Sequence, residues 1–320
     1  MRIIDFDINS VPANDKDLVL CLGFYDGLHL GHQKLINKAL AEGYPVGVMT
    51  FDIAPAVLLG KKENYSLTST YDKADFLEEM GVKYLYIMHF EKDTLMVTKD
   101  EFIERVLKPL NPKKIFVGSD YKFGWGGEGD ASYLSRFFDV EVIELEKVDN
   151  LKISSKKIRQ LVEEGKMEKA ASFLGRPYRI SGLVVEGGGN GRKIGFATAN
   201  LELNYTYVFP KEGVYMGYAY FLNRKRKAMI CVGTHPTLNQ LMKPIIEVHI
   251  IDFNEVLYGR EIYVDFVSYM RPVIQFASFE DLREQLIKDE EKTKNTLHSK
   301  LLLPLPISFT GSVLLLSEGC

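Results

Sequence analysis

Two histidines three residues apart, His29 and His32, flank Gly31 in the stretch Cys21-Leu22-Gly23-Phe24-Tyr25-Asp26-Gly27-Leu28-His29-Leu30-Gly31-His32. Leu18 to Leu22 reads as a buried strand, and beyond Gly31 the apolar residues Leu35, Ile36, Ala39 and Leu40 recur at helical spacing until Gly43. The pair therefore belongs to a strand-to-helix turn. Unpaired backbone N–H groups and the positive end of the helix dipole favour a bound anion there. Imidazoles add directed donors, Gly31 lets a ligand approach the backbone, and a charged imidazole would offset negative charge growing on a phosphate under attack. The competing reading is a pair of ordinary loop or cap histidines.

Five further groups of residues carry chemistry. Gly118-Ser119-Asp120-Tyr121-Lys122-Phe123-Gly124-Trp125 and the glycines to Gly129 form either a cover whose aromatics pack on a planar ring or a plain surface loop. In Ile153-Ser154-Ser155-Lys156-Lys157-Ile158-Arg159, hydroxyls and cations gather at a helix start, where they either grip phosphates or form a capped helix with a solvated basic face. Gly187-Gly188-Gly189-Asn190-Gly191-Arg192 would wrap a phosphate in backbone amides or serve as a flexible connection; its spacing fits neither a P-loop nor a dinucleotide fingerprint. Thr198 and Asn200, in Phe196-Ala197-Thr198-Ala199-Asn200, are hard oxygen donors suited to Mg²⁺. Glu247 interrupts an apolar strand and shares a face with His249 and Ile251; it is either a solvated outward residue or a general base displayed inside a barrel mouth, with His249 as a structural partner.

These residues are carried by two patterns. Strands near Leu18 to Phe24, Val46 to Phe51, Tyr84 to Phe90, Lys114 to Gly118 and Val140 to Leu145 alternate with helices, as in a parallel α/β sheet whose ligands bind beyond the strands' carboxyl ends. Thr98 to Glu101 reads as a capping box for a helix that Pro109 closes. Past Gly175 come short alternating strands, Ile180 to Val185, Val214 to Phe221, Ala228 to Val232, Ile246 to Ile251 and Glu261 to Phe266, as in a small antiparallel barrel or sandwich. A closing helix capped by Ser278 turns Leu282, Leu286 and Ile287 inward, and Leu174 to Tyr178 reads as the hinge.

At 320 residues the chain suits two domains, and a formal charge of -3 gives no global attraction for nucleic acid or an acidic membrane. Its three cysteines lie far apart, Cys21 and Cys231 within apolar runs, which fits a reducing compartment and makes the cytoplasm the expected location. Acidic residues near the start leave no visible export signal, and two prolines argue against a spanning helix in the greasy end. No oligomeric state is set by this sequence.

In order and spacing the first half resembles the adenylyltransferase half of bacterial bifunctional riboflavin kinase/FAD synthetases. It follows the family patterns Gly-x-Phe-Asp-Gly-x-His-x-Gly-His, Gly-x-Asp/Asn-Phe-x-Phe-Gly and Ile-Ser-Ser-Thr-x-Ile-Arg. The resemblance implies a Rossmann-like nucleotidyltransferase sheet in residues 1–173, with ATP phosphates held by His29 and His32. Gly23, Phe24, Asp26, Gly31 and Asp120 line that site, and Ser154, Ser155 and Arg159 complete the clamp. Three positions depart from the family: Tyr25 stands for Phe, Lys156 for Thr, and Ala54 for the histidine of Thr-Phe-x-Pro-His-Pro. Ala54 removes a phosphate donor.

The second half resembles the riboflavin kinase fold through Gly-x-Gly-Arg-x-Leu-Gly-Phe-Pro-Thr-Ala-Asn, Pro-Thr and Glu-x-His, here with Ala197 for Pro and with Pro236-Thr237, Asp252-Phe253 and Tyr258-Gly259 following in order. The resemblance implies an antiparallel β-barrel kinase domain with a closing helix in residues 174–296. It implies Thr198 and Asn200 as Mg²⁺ ligands and Glu247 as the base that takes a proton from the ribityl hydroxyl. Gly189, Gly191 and Arg192 are assigned to ATP phosphates, and Phe123 and Arg271 to flavin; residues 297–320 have no assigned role. The expected enzyme uses ATP to phosphorylate riboflavin to FMN and then joins FMN to AMP, with no nucleic-acid or membrane partner. One alternative is a kinase whose first domain makes little FAD, and another is a non-catalytic flavin or nucleotide sensor.

Overall fold

A computed structural model describes residues 1–297 except 55, 56, 58–65, 145, 146, 149, 150, 188–190, 192–194 and 237–241. The first half holds a six-stranded parallel sheet of β1 (Arg2–Phe6), β2 (Val19–Leu22), β3 (Val46–Phe51), β4 (Tyr84–Met88), β5 (Lys114–Gly118) and β6 (Val140–Ile143), in the order β1-β4-β3-β2-β5-β6. β1 is a strand that the apolar pattern did not reveal, because its exposed edge lets acidic residues alternate with apolar ones. Along β2 the side chains separate: Leu20 and Leu22 enter one apolar cluster, Val19 and Cys21 the other. Burial on both faces is what a parallel sheet covered by helices requires.

Helix α1 (Leu30–Leu40) follows β2, and α2 (Thr70–Glu79) starts at a capping box of Ser69 and Asp72. The segment after Thr98 departs from the sequence expectation. Helix Lys99–Phe102 passes through a π turn at Ile103–Leu107 into Lys108–Leu110, so Pro109 lies inside the last turn and Asn111, at φ 45°, ends it. The π turn re-registers the ladder ahead of the proline, which lacks an N–H to donate.

Helices α3 (Ser155–Glu163) and α4 (Met167–Leu174) lead into a closed barrel of β7 (Tyr178–Val185), β8 (Ala199–Glu202), β9 (Gly213–Phe221), β10 (Arg224–Pro236), β11 (Met242–Ile250) and β12 (Glu261–Arg271). Neighbours run β7-β8-β11-β10-β9-β12, with β12 returning to β7. The barrel alternative to a sandwich is the one realised, and closure leaves no free edge. Leu161, Met167 and Phe173 from α3 and α4 share one apolar core with Ile230, Val248 and Phe266 of the barrel. The expected hinge is therefore a packed corner: Gly175, at φ 76°, caps α4, and a Cβ there would lie 2.7 Å from a methyl of Leu30.

Helix α5 (Phe279–Thr296) is capped by Ser278, whose hydroxyl accepts from Asp281 N at 3.1 Å. Leu286 packs on the barrel, but Ile287 is exposed, and the buried positions of the helix are Asp289 and Thr293. An ion pair rather than an apolar stripe therefore anchors its centre. Leu297 packs against Met216, Tyr218, Tyr220 and Tyr263, and the rest of the tail, 298–320, lies outside the described residues.

Candidate active sites

The chain leaves β2 through a turn with unusual backbone. Tyr25 and Leu28 have φ 54° and 42°, and Gly27 has φ 80°. Left-handed conformations at non-glycine residues persist only where the surroundings over-determine them. Here Gly27 N donates to Thr68 Oγ1 at 3.0 Å, Ser155 Oγ donates to Asp26 O at 2.9 Å, and Asp26 accepts from Leu67 N at 2.8 Å and from Arg159 Nη2 at 2.5 Å. The turn delivers His29 as the cap of α1, its Nδ1 accepting from His32 N at 3.3 Å. The two imidazoles stack with centroids 3.5 Å apart.

His29, His32, Gly23, Phe24, Gly31, Asp120, Ser154 and Ser155 line one cavity of about 360 Å³ at the carboxyl ends of the parallel strands. Two expected members do not: Asp26 and Arg159 pair behind the cavity, with Asp26 buried to 2% exposure. Ser154 and Ser155 reach the cavity while capping α3 and bonding Asp26. The imidazole charge expected from sequence is revised. Burial, aided by the charge of Arg176, holds His29 down to about 4, and burial together with His29, Lys73 and Arg176 holds His32 well below the ordinary histidine range. Both rings thus stand neutral at pH 7, and Nδ1 of His32 is buried with no partner among the described residues, an open acceptor or donor at the cavity wall.

Lys73 went unnoticed in the sequence because nothing in α2's pattern separates it from a surface lysine. Its side chain is 1% exposed, its Nζ donates to Phe24 O at 3.0 Å, and burial draws it down to about 8 against the pull of Asp26, Asp72 and Asp52. Thr50 Oγ1 donates to the same carbonyl at 2.9 Å. Phe123 lines a separate cleft of about 430 Å³, with Phe51, Phe90, Phe102, Tyr121 and Trp125. Phe51, Tyr121 and Lys122 form the wall shared by cleft and cavity.

In the barrel, alternation sends Ile246, Val248 and Ile250 into the core and turns Glu247 outward, so the barrel-mouth interior is excluded for this carboxylate. Register then aligns a row across five strands. Asn200 pairs with Glu247, Glu247 with Cys231, Cys231 with Val214, and Val214 with Arg271. A bulge lies between Val214 and Tyr215, so Tyr269 faces the core while Arg271, two residues on, joins the outer row.

Helix α5 lies over this outer wall. Arg271 Nε donates to Asp289 Oδ2 at 2.8 Å, and His249 pairs with Ala197 O at 2.8 Å and lies 3.7 Å from Glu290. His249 thus holds the Thr198 segment in place, the structural part expected of it. A Cβ on Gly187 would lie 1.9 Å from Asn200 Nδ2, so a glycine is what lets the Asn200 amide occupy its position. Gly191 O accepts from Phe196 N at 2.8 Å; Gly189, Arg192 and Thr237 lie outside the described residues. Thr198 borders a cavity of about 220 Å³ with Phe253, Asn254 and Tyr258. Among the described residues no cluster of three or more His, Cys, Asp or Glu is arranged to hold a metal; of the two expected Mg²⁺ ligands Thr198 lines this cavity and Asn200 does not, and each offers a neutral oxygen of the kind Mg²⁺ takes beside phosphate and water.

Comparison with known proteins agrees with this division. A family model described as FAD synthetase matches residues 11–161, and one described as riboflavin kinase matches 174–297. A bifunctional riboflavin kinase/FMN adenylyltransferase from Listeria monocytogenes is 34% identical over 90% of this chain and 95% of its own, and one from Escherichia coli K12 is 35% identical over 91% and 96%. A solved Streptococcus pneumoniae chain described as a macrolide-efflux protein superposes with TM-score 0.83 at 32% identity, covering 91% of this chain and 99% of that one. With both domain models in sequence and relatives matched over nearly their whole length, the chain belongs to the bifunctional riboflavin kinase/FMN adenylyltransferase family.

Proposed function

We propose that residues 174–296 phosphorylate riboflavin to FMN at the outer wall of the barrel and that residues 1–173 adenylylate FMN at the β2–α1 turn. The observation that carries the kinase assignment is the row Asn200–Glu247–Cys231–Val214–Arg271, which sets a carboxylate beside an amide oxygen and within the same wall as a cation. Glu247 is the general base: it accepts the proton of the ribityl terminal hydroxyl as that oxygen attacks the γ-phosphorus of ATP and ADP leaves. Thr198 and Asn200 would hold the Mg²⁺ that travels with ATP, whose charge would shield the phosphate oxygens. Arg271, oriented by Asp289, faces the flavin, and Gly187 and Gly191 border the ATP phosphates, to which the sequence also assigns Gly189 and Arg192.

In the adenylyl step an FMN phosphate oxygen attacks the α-phosphorus and pyrophosphate leaves, so no general base is required. His29 and His32 with the α1 N–H groups hold the ATP phosphates, Ser154 and Ser155 border them, and Arg159 acts through Asp26 on the turn. The aromatic cleft around Phe123 fits the flavin ring, with the wall shared with the cavity separating it from ATP. Neutral imidazoles at rest favour this use: they donate or accept at no desolvation cost of a buried charge, and an incoming phosphate supplies the counter-charge that makes protonation favourable. Free Cys21 and Cys231 fit a reducing cytoplasm, and among the described residues no helix is long and apolar enough to cross a membrane.

Incubation with riboflavin, ATP and Mg²⁺, with flavins separated by chromatography, tests the proposal. FMN followed by FAD is expected. FMN alone would leave the first half without its proposed activity, and neither product would overturn both assignments.

A further inference from the structure

The turn that presents His29 is held in part by a residue from outside the sheet-bearing half. Arg176 follows the cap of α4 and belongs to the stretch matched by the riboflavin kinase model, which begins at residue 174. Its guanidinium nevertheless points back into the first half. Nη2 donates to Gly27 O at 2.9 Å, and Nη1 donates to Leu28 O and to Leu174 O, each at 3.3 Å. Its face lies over the ring of Phe76 on α2 at 3.7 Å, which fixes the plane of the fork. Gln33 ties the same two carbonyls together, donating to Leu28 O at 2.7 Å and to Leu174 O at 2.8 Å.

The carbonyls so gripped are those of the two residues ahead of His29, both in left-handed conformation, with φ 80° at Gly27 and 42° at Leu28. A leucine leaves that region readily unless its peptide is held. Rotation of the Leu28–His29 peptide would carry His29 away from His32 and unmake the cap of α1. A fork donating to two successive carbonyls opposes that rotation in a way an ammonium, with one point of charge, reproduces only partly.

We propose that Arg176 is a positioning residue for adenylyl transfer: from the kinase side of the chain it locks the Gly27–Leu28 carbonyls and thereby sets the His29 imidazole against the phosphates. The FAD-forming site is therefore incomplete without the start of the kinase half, whereas the kinase row, made of barrel strands, does not use Arg176. The inference rests on the proposed role of His29.

The test uses full-length protein, with FAD formation from FMN and FMN formation from riboflavin measured on each variant. In Arg176→Met, kcat for FAD formation falls about 10- to 100-fold, the range expected for misplacement of a catalytic group. KM for FMN changes less than about threefold, and riboflavin phosphorylation stays within about twofold of the parent, as befits loss of an interaction made in the transition state alone. Arg176→Lys restores part of the lost kcat, and methylguanidinium added to Arg176→Ala restores part as well. FAD formation unchanged in Arg176→Met, or equal loss of both activities in the Met and Lys variants, overturns the proposal. Should Arg176→Met not fold, Arg176→Lys decides: a lower kcat for FAD with intact kinase supports it, and any other result overturns it. A parallel His29→Ala separates the two ideas. If His29→Ala still makes FAD, the reading of the phosphate site fails; if it does not while both Arg176 variants do, only the role of Arg176 fails.

Discussion

The two candidate sites are assembled by opposite means. At the β2–α1 turn the principal groups are neighbours in the chain, His29, Gly31 and His32, and their placement depends on distant residues, Thr68, Ser155, Arg159 and Arg176, that pin a backbone in left-handed conformation. On the barrel wall the groups are far apart in the chain, Asn200, Glu247 and Arg271, and sheet register alone aligns them. A register slip would turn the whole row over, so it is strongly specified by the core residues between. The difference teaches where each site is fragile: the turn to loss of its remote contacts, the wall to loss of its own side chains.

Substitution at the wall should therefore act on one activity cleanly. Glu247→Gln lowers riboflavin phosphorylation by about 100- to 10,000-fold, the usual contribution of a general base, while FAD formation from supplied FMN is retained. Retention of more than about a tenth of kinase activity would remove Glu247 from the proton-transfer role. At the turn, His29→Ala or His32→Ala lowers FAD formation by about 100- to 1,000-fold, as for removal of one donor to a developing charge, with the kinase unaffected. Both results are read from separated flavins in the same assay.

Contacts behind the turn sharpen the contrast, because there stability and activity fall together. Arg159→Met leaves the Asp26 carboxylate, 2% exposed, without its ion-pair partner. The expected cost is about 3 kcal/mol or more, seen in denaturant unfolding, together with loss of FAD formation. An unfolding midpoint unchanged in Arg159→Met would show that the turn holds itself.

The smallest effects are in the pH dependence of stability, where two buried regions oppose each other. His29, lowered from 6.5 to about 4, binds fewer protons folded than unfolded between those values, so acidification through that window destabilises the fold. Asp75 on α2, which accepts from Tyr263 of the barrel at 3.1 Å, is raised by burial from 3.8 to about 6. It binds more protons folded, so between those values stability falls as pH rises. Thermal melts across this range should show a shallower first slope in His29→Ala, where His32 supplies what remains, and lose the second in Asp75→Asn. Parallel curves for all three proteins would contradict both assignments.

Much of this was legible in the order of residues. The apolar runs of β2, β3 and β5 and the turn signals after them exposed a parallel sheet with chemistry at one edge, and the capping patterns at Thr98 and Ser278 marked helix starts. β8 escaped notice because Ala199 to Glu202 is too short and too polar to alternate, although it supplies Asn200. Ile287 misled for the opposite reason: helical spacing does not tell which face a neighbour covers, and the barrel met the Asp289 side.

What the sequence determined by itself was which groups lie close along the chain: the paired histidines of one turn, the serines of one helix start, the oxygens of Thr198 and Asn200. Tertiary structure decided which of them face a cavity and which are bound to one another. Asp26 and Arg159 read as a phosphate clamp until folding pairs them, Lys73 carries no signal and Arg176 reads only as part of a hinge until folding sets both against carbonyls of the turn, and Arg271 meets the Glu247 row because of a bulge. The physical reason is that local pattern reports period and capping, whereas a charged side chain's role is set by what desolvates it and what pairs with it, and those groups come from elsewhere in the chain.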